Sequence, residues 1–323
     1  MNLYYASAAI AFFMCLCVTP PVRALARRFG IVDRPDKHRK LHKHVIPLGG
    51  GIAVLIAFVA TVLVVIALSK SQRAVFAGDV WFLVGTGASA GTICLVGLLD
   101  DRFGLRGRQK LFGQIVAVSL FLLTGLRIES LQLLGFPIEL GLLAIPFTLI
   151  WLLGSINALN LLDGADGLAS TVGIVLSISI AATAILTGHR TEAFLALAMA
   201  GALAGFLVYN SPPASIFLGD AGSMLIGLTL GALAIRGSLK GSTTAVVLAV
   251  PAAIWAIPLF DVSMAIVRRR LTGRSIYVTD RGHLHHLAQR RGLGGWSMMF
   301  VIGGLCAVTA TAAVISVYMH NEA

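Results

Sequence analysis

Charged side chains are scarce in this chain of 323 residues, where Asp, Glu, Lys and Arg together make up 12% of the sequence. A soluble domain carries roughly 25% charged residues. Hydrophobic residues account for 57% of the chain, and the mean hydropathy is +0.89. Because the bilayer core is the solvent that excludes charge this strongly, the composition excludes an ordinary soluble protein and predicts an integral membrane protein.

Cysteine is also rare, and its four occurrences form neither a redox motif nor a metal motif. Cys15, Cys17, Cys94 and Cys306 all lie in apolar runs and show no CxxC spacing. We interpret them as small core residues. No repeat of 20–50 residues and no soluble domain is visible, so residues 1–323 are predicted to form a single polytopic membrane domain.

Long apolar runs recur along the whole chain and predict the fold class. They cover residues 3–18, 49–68, 80–99, 111–126, 140–162, 168–187, 193–209, 221–235, 245–267 and 297–319. A membrane-spanning helix needs about 20 such residues. The sequence therefore predicts an all-α bundle of about ten, or eleven, transmembrane helices, with a small hairpin on the outer side at residues 127–139.

Lysine and arginine are distributed unevenly between the loops. Most of the 25 fall within residues 20–47, 100–110, 163–167, 210–220 and 268–296. The exceptions are Lys70, Arg73, Arg127, Arg190, Arg236 and Lys240. Cytoplasmic loops carry an excess of Lys and Arg. The net charge of +11 is therefore interpreted as a membrane-orientation signal and not as a nucleic-acid surface, and the N-terminus is predicted outside.

Two adjacent aspartates, Asp100 and Asp101, close one apolar span on the predicted cytoplasmic side. Carboxylates at that position are costly unless a cation meets them. Mg²⁺ suits the position, because it takes one or two carboxylates together with substrate phosphates. The alternative is that one aspartate caps the next helix and pairs with Arg102.

A second polar group follows the span at residues 140–162. Asn157, Asn160, Asp163 and Asp166 are spaced three apart, so successive helical turns would stack them. Polar groups entering the membrane in this way mark a site, although small polar residues also join helices. Asp220, which lies between glycines, is predicted to bind metal, with an N-cap as the alternative.

Two basic segments are candidates for binding anions. The first contains Lys40 and His42 and leads into a glycine run at residues 49–51. Backbone amides at a glycine-rich helix start would suit phosphate groups, but the basic residues also fit an orientation signal against acidic lipids.

The second basic segment is the predicted cytoplasmic loop at residues 268–296. It contains Arg274, His283, His285 and His286, which could bind phosphates and exchange protons. Zinc is a weaker alternative, because the segment has no nearby cysteine and no HExxH pattern.

The strings LLDDRFGLRGRQK, NALNLLDGADGLAS and FLGDAGS, in this order, resemble the polyprenyl-phosphate N-acetylhexosamine-1-phosphate transferase family. The resemblance runs from about Asp33 to His286. The string DRGHLHHL is similar to that of the bacterial members that use UDP-GlcNAc, whereas the muramoyl-pentapeptide relatives have a triple-histidine motif. The resemblance implies transfer of GlcNAc 1-phosphate from UDP-GlcNAc to undecaprenyl phosphate, with Mg²⁺ or Mn²⁺.

The resemblance also implies roles for individual residues. Asp100 and Asp101 would hold metal or deprotonate the lipid phosphate, and His285 and His286 would take part in catalysis. The implied metal ligands are Asp220, Asp163 and Asp100. The implied substrate-binding residues are Asn160, Asp163, Asp166, Lys110, Arg274, His283, Lys40 and His42.

The implied setting is the bacterial inner membrane, with a cleft facing the cytoplasm. The reaction would begin the synthesis of O-antigen, enterobacterial common antigen or a teichoic acid linkage, and a homodimer is compatible with it. Two alternatives stay open, namely another UDP-N-acetylhexosamine as donor and an ion-coupled transporter.

Overall fold

A computed structural model of the chain describes residues 2–35, 44–133, 136–239, 252, 255–271, 287 and 292–321. The described helices are α1 Asn2–Arg28, α2 Gly50–Leu68, α3 Lys70–Gly78, α4 Val80–Phe103, α5 Gly107–Leu122, α6 Ala144–Leu162, α7 Leu168–Leu186, α8 Arg190–Asn210, α9 Gly219–Leu239, α10 Ala256–Leu271 and α11 Gly295–Asn321. Two antiparallel strand pairs join Val32–Asp33 (β1) to Ile46–Pro47 (β2) and Ser130–Leu133 (β3) to Phe136–Glu139 (β4). The predicted all-α polytopic fold is confirmed.

Seven of the described helices are long and apolar enough to cross a membrane, namely α1, α2, α4, α6, α7, α8 and α11. The spans predicted at residues 111–126 and 221–235 overlap α5 and α9. The span predicted at residues 245–267 overlaps α10 from residue 256, and its residues 245–251, 253 and 254 lie outside the described residues. Of these, α5 and α10 have only 16 residues each, which is shorter than the run of about 20 that a bilayer requires. The hairpin predicted at residues 127–139 is confirmed by the β3–β4 pair.

Helix α9 lies at the centre of the bundle. It packs against α2, α4, α6, α7 and α8, and every residue from 221 to 237 is buried. Small residues make this possible, because a Cβ at Gly227 would lie 2.5 Å from the Ser155 carbonyl oxygen of α6. Glycine allows helix backbones to approach closely in membrane proteins, so the glycines of α9 account for its central place.

A buried ion cluster holds the C-terminal part of α9. Arg236 forms ion pairs with Asp79, which precedes α4, and with Glu192 of α8 at 2.7 Å. Thr191 donates a hydrogen bond of 2.6 Å to Asp79, and the Arg236 guanidinium lies 3.8 Å from the ring centre of Phe82. These contacts join α4, α8 and α9 at the end of the bundle away from Asp220, about 24 Å along α9 at 1.5 Å per residue.

We expect Arg236→Met to destabilise the protein by about 3–5 kcal/mol, because it removes the ion pairs that Arg236 makes with Asp79 and with the buried carboxylate of Glu192. The matched control is Arg127→Met. Arg127 pairs with Glu129 at 3.6 Å, and both side chains are at least half exposed, so its loss should cost about 1 kcal/mol or less. Unfolding by SDS titration in mixed micelles measures both free energies. Equal losses in the two variants would contradict the stabilising role of the buried cluster.

Candidate active site

Four side chains from four helices meet at the end of the bundle where α4 finishes and α9 begins. The Lys110 ammonium of α5 contacts the Asp100 carboxylate of α4 at 2.8 Å and also forms an ion pair with Asp220 of α9. It donates a further hydrogen bond of 3.1 Å to the Asn160 side-chain oxygen of α6. The Asn160 amide in turn donates to Asp220 Oδ1 at 2.6 Å. We call Asp100, Lys110, Asn160 and Asp220 the central cluster.

Further amide side chains lie on the same helices as the central cluster. Asn157 Nδ2 of α6 donates to Gln114 Oε1 of α5 at 3.1 Å and to the Leu153 carbonyl oxygen at 2.8 Å. Asn160 Nδ2 also lies 3.1 Å from Ser223 Oγ of α9. The sequence motifs did not identify Gln114 as a site residue. A signal was present, because Gln114 lies four residues after Lys110 and therefore shares its helix face.

Asp101 has a different environment from its neighbour Asp100. Its carboxylate accepts hydrogen bonds from the backbone amides of Asp220 at 2.9 Å and Ala221 at 3.3 Å. These amides belong to the first turn of α9, where backbone N–H groups have no partner within the helix. The alternative prediction that one of the two aspartates caps a helix is therefore correct for Asp101. The helix that it caps is α9, however, and not α5, which follows it in the chain.

The first turn of α9 is also held by close backbone packing. A Cβ at Gly97 of α4 would lie 2.4 Å from the backbone of Ala221, and one at Gly51 of α2 would lie 2.2 Å from the Gly222 nitrogen. The amides of Gly50 and Gly51 donate to the carbonyl oxygens of Phe217 and Leu218 at 3.1 and 3.0 Å. The expectation that this glycine run binds an anion is therefore wrong for these two amides, since they are already bonded.

The predicted polar ladder ends with α6. Asn157 and Asn160 lie on the helix, but the helix finishes at Leu162 and Asp163 is its C-cap. Asp166 lies in the following turn, where its carboxylate accepts from the Ala214 amide at 2.9 Å. Stacking of all four residues on helical turns is therefore wrong, because the chain leaves the helix before the two aspartates.

Asp163 nevertheless belongs to the electrostatic environment of the central cluster. Burial raises the pKa of its carboxyl group well above the ordinary value, and the charges of Asp220, Asp101 and Asp166 raise this pKa further. A proton or a cation near Asp163 would relieve this repulsion.

The N-cap alternative for Asp220 is wrong, because its carboxylate accepts from Asn160 and Lys110.

Lys40, His42, Arg274, His283, His285 and His286 lie outside the described residues. The parts of the first basic loop on either side of residues 36–43 are hydrogen-bonded to residues that lie close in sequence to Asp100 and Asp220. The Arg102 guanidinium donates to the Gly30 carbonyl oxygen at 2.9 Å, and the Phe217 amide donates to that of Pro47 at 2.9 Å.

The donor set of the central cluster fits a hard divalent cation. Two carboxylates, from Asp100 and Asp220, and the amide oxygen of Asn160 surround a single ammonium group. Mg²⁺ prefers oxygen ligands and is commonly held by one or two carboxylates. Among the described residues, no three Asp, Glu, His or Cys side chains form a metal-binding group.

Comparison with known proteins identifies the family. A sequence model of glycosyl transferase family 4 matches residues 81–238, a range that contains the whole central cluster. A Bacillus subtilis protein named as a probable undecaprenyl-phosphate N-acetylglucosaminyl 1-phosphate transferase is 32% identical over 95% of this chain and 83% of its own length. The chain belongs to glycosyl transferase family 4. These are the polyprenyl-phosphate N-acetylhexosamine-1-phosphate transferases that the sequence motifs resemble, so that expectation is confirmed.

Two further relatives show the range of the family. A decaprenyl-phosphate N-acetylglucosaminephosphotransferase of Mycolicibacterium smegmatis is 35% identical over 82% of this chain and 70% of its own. A phospho-N-acetylmuramoyl-pentapeptide-transferase of Halalkalibacterium halodurans is 29% identical over 96% of this chain and 95% of its own. Family membership and seven candidate spans make the chain a multi-pass membrane transferase, and they argue against the transporter alternative.

We expect Gly97→Ala to destabilise this transferase by about 1–3 kcal/mol, because the added methyl group would overlap the backbone of α9. Gly91→Ala on the same helix is the matched control, because a Cβ at Gly91 would meet nothing within 4 Å. That change should be neutral or stabilising by up to about 1 kcal/mol. Unfolding in mixed micelles measures the difference, and equal stability of the two variants would contradict the close packing of α4 on α9.

Proposed function

We propose that the protein transfers N-acetylglucosamine 1-phosphate from UDP-GlcNAc to undecaprenyl phosphate. A phosphate oxygen of the lipid attacks the phosphorus that carries the sugar, the bond from that phosphorus to the bridging oxygen breaks, and UMP leaves. The products are undecaprenyl-diphospho-GlcNAc and UMP. This would be the first membrane step of a cell-envelope polysaccharide, with O-antigen, common antigen and teichoic acid linkage as the candidate polymers.

The observation that supports this proposal most strongly is the central cluster itself. It combines two carboxylates, one ammonium and one amide at the end of a membrane bundle, where a lipid and a soluble donor can meet. Phosphoryl transfer relies mainly on positioning and on neutralising charge. The names of the Bacillus and Mycolicibacterium relatives, which specify polyprenyl phosphates and N-acetylglucosamine phosphate, support the same substrates.

Each residue of the cluster has a chemical task in this reaction. Asp100, Asp220 and Asn160 would hold Mg²⁺, which when bound neutralises negative charge on the donor diphosphate. Asn160 also fixes the carboxylate of Asp220 by its 2.6 Å hydrogen bond. The Lys110 ammonium, a mobile donor on a flexible stem, would turn from the carboxylates to the phosphate oxygens of the substrate.

One finding supports a second candidate for the sugar donor. The Halalkalibacterium relative is named as a muramoyl-pentapeptide transferase, which makes a UDP-muramoyl-pentapeptide the competing donor. The string DRGHLHHL at residues 280–287 supports UDP-GlcNAc, because it lacks three consecutive histidines. The two donors share the uridine and diphosphate, so only a direct comparison of them separates the two functions.

We expect purified protein with Mg²⁺ to transfer radiolabel from sugar-labelled UDP-GlcNAc to undecaprenyl phosphate and to release UMP in equal amount. Removal of Mg²⁺ with a chelator should stop the reaction. Asp220→Asn should lower kcat at least about a hundredfold, since one ionic oxygen ligand is lost. Glu129→Gln, in the exposed hairpin region, is the control and should leave kcat unchanged.

A folded wild-type preparation that uses only the muramoyl-pentapeptide donor would replace UDP-GlcNAc by that substrate. Failure with every UDP-N-acetylhexosamine would overturn the proposed reaction.

We also propose that the central cluster faces the cytoplasm, where nucleotide sugars are made. In a background without the four native cysteines, a cysteine replacing Arg108, which is exposed close to Lys110, should react with an impermeant maleimide only after the cells are permeabilised. A cysteine replacing exposed Glu129 should react in intact cells. The reverse pattern of labelling would invert the orientation.

A further inference from the structure

We infer that Asp101 is a positioning residue, which caps the first turn of α9 from another helix and thereby sets the carboxylate of Asp220. This inference rests on the proposed function for its activity readout, whereas its structural readout is independent of turnover. The inference gives different roles to Asp100 and Asp101, which are adjacent in the sequence but have different hydrogen-bond partners. Asp100 contacts the Lys110 ammonium at 2.8 Å, whereas Asp101 contacts backbone amides.

The geometry of the cap is specific. Both oxygens of Asp101 are used, Oδ1 by the Asp220 amide at 2.9 Å and Oδ2 by the Ala221 amide at 3.3 Å. A carboxylate at a helix N-terminus also interacts favourably with the helix dipole. Asp101 thus does for α9 what an N-cap side chain ordinarily does within one segment of chain, although 119 residues separate it from Asp220.

The absence of a side chain at Gly219 leaves room for the Asp101 carboxylate. Its φ of +73° is a left-handed conformation, and a Cβ there would lie 2.5 Å from Asp101 Oδ2. Any side chain at residue 219 would therefore displace Asp101 from the amides of α9. The chain thus has at residue 219 a glycine, which favours this backbone conformation, and the Asp101 carboxylate lies where a side chain would begin.

The consequence for the reaction follows from the position of Asp220. Its amide is held by Asp101, and its side chain is held by Asn160 and Lys110. A shift of the first turn of α9 would move the Asp220 carboxylate relative to Asp100 and Asn160. Displacements of about 1 Å at a reacting site cost large factors in rate, so the cap contributes to catalysis without Asp101 touching a substrate.

The test compares Asp101→Asn with Asp101→Ala. Asparagine is about as good a cap as aspartate, and its side-chain oxygen can accept from the Asp220 amide. We therefore expect Asp101→Asn to keep kcat within about tenfold of wild type, and Asp101→Ala to lose about a hundredfold or more while KM for the donor changes little. Hydrogen exchange of the peptide covering residues 217–224 should be slow in wild type and Asp101→Asn, and fast in Asp101→Ala.

Two further variants complete the test. Asp100→Asn is the control for exchange, since Asp100 accepts from the Leu105 amide at 2.7 Å, and the amides of α9 should stay protected. Gly219→Ala keeps the Asp101 carboxylate but pushes it from the amides, so it should reproduce the exchange and the kcat of Asp101→Ala.

The inference is overturned if Asp101→Asn is as inactive as Asp101→Ala while the amides of α9 remain protected, because the ionised carboxylate would then act in the reaction. It is also overturned if Asp101→Ala keeps wild-type kcat. If Asp101→Ala does not fold, the comparison of Asp101→Asn with wild type decides in the same way. An inactive wild type with the expected exchange pattern would count against the proposed reaction and not against the cap.

Discussion

The backbone of α9 begins directly against the backbones of α2 and α4, and the central cluster depends on this contact. Gly51 and Gly97 leave no side chain between the helices, so a Cβ at either residue would lie within 2.4 Å of backbone atoms of Ala221 or Gly222. Well-packed interiors have few voids and transmit displacement. The backbone at Asp220, one residue before Ala221, is therefore held by these main-chain contacts as well as by the Asp101 carboxylate.

Opposite ends of α9 carry opposite kinds of polar contact, and each compensates for burial in a low-dielectric region. At its beginning, the backbone amides meet the carboxylate of Asp101. Near its end, the Arg236 guanidinium meets Asp79 and Glu192. Both arrangements agree with the helix dipole, which favours anions at the N-terminus and cations at the C-terminus. A helix buried from residue 221 to 237 is thus fixed at both ends to α4, which links the two sides of the bundle.

The sequence predicted the helices well because each apolar run in a bilayer must satisfy its own backbone, which leaves a helix as the outcome. It also located Asp100, Asn160 and Asp220 because polar residues stand out in such runs. It could not pair Asp101 with α9, since that contact joins residues 119 apart and depends on how three helices pack. The same limit explains the misassigned amides of Gly50 and Gly51, which bond to the loop before α9.

The partners of the carboxylates also bear on how the proposed transfer proceeds. Asp100 accepts from the Leu105 amide and Lys110, Asp101 from two amides of α9, and Asp220 from Asn160 and Lys110. An aspartate that first took the phosphosugar covalently would have to give up such contacts in a partly buried site, where unpaired polar groups are costly. The lipid phosphate is already ionised and needs no such intermediate. These contacts therefore favour the proposal of a single displacement, in which Asp100 and Asp220 would hold the metal and Asp101 would position α9 throughout.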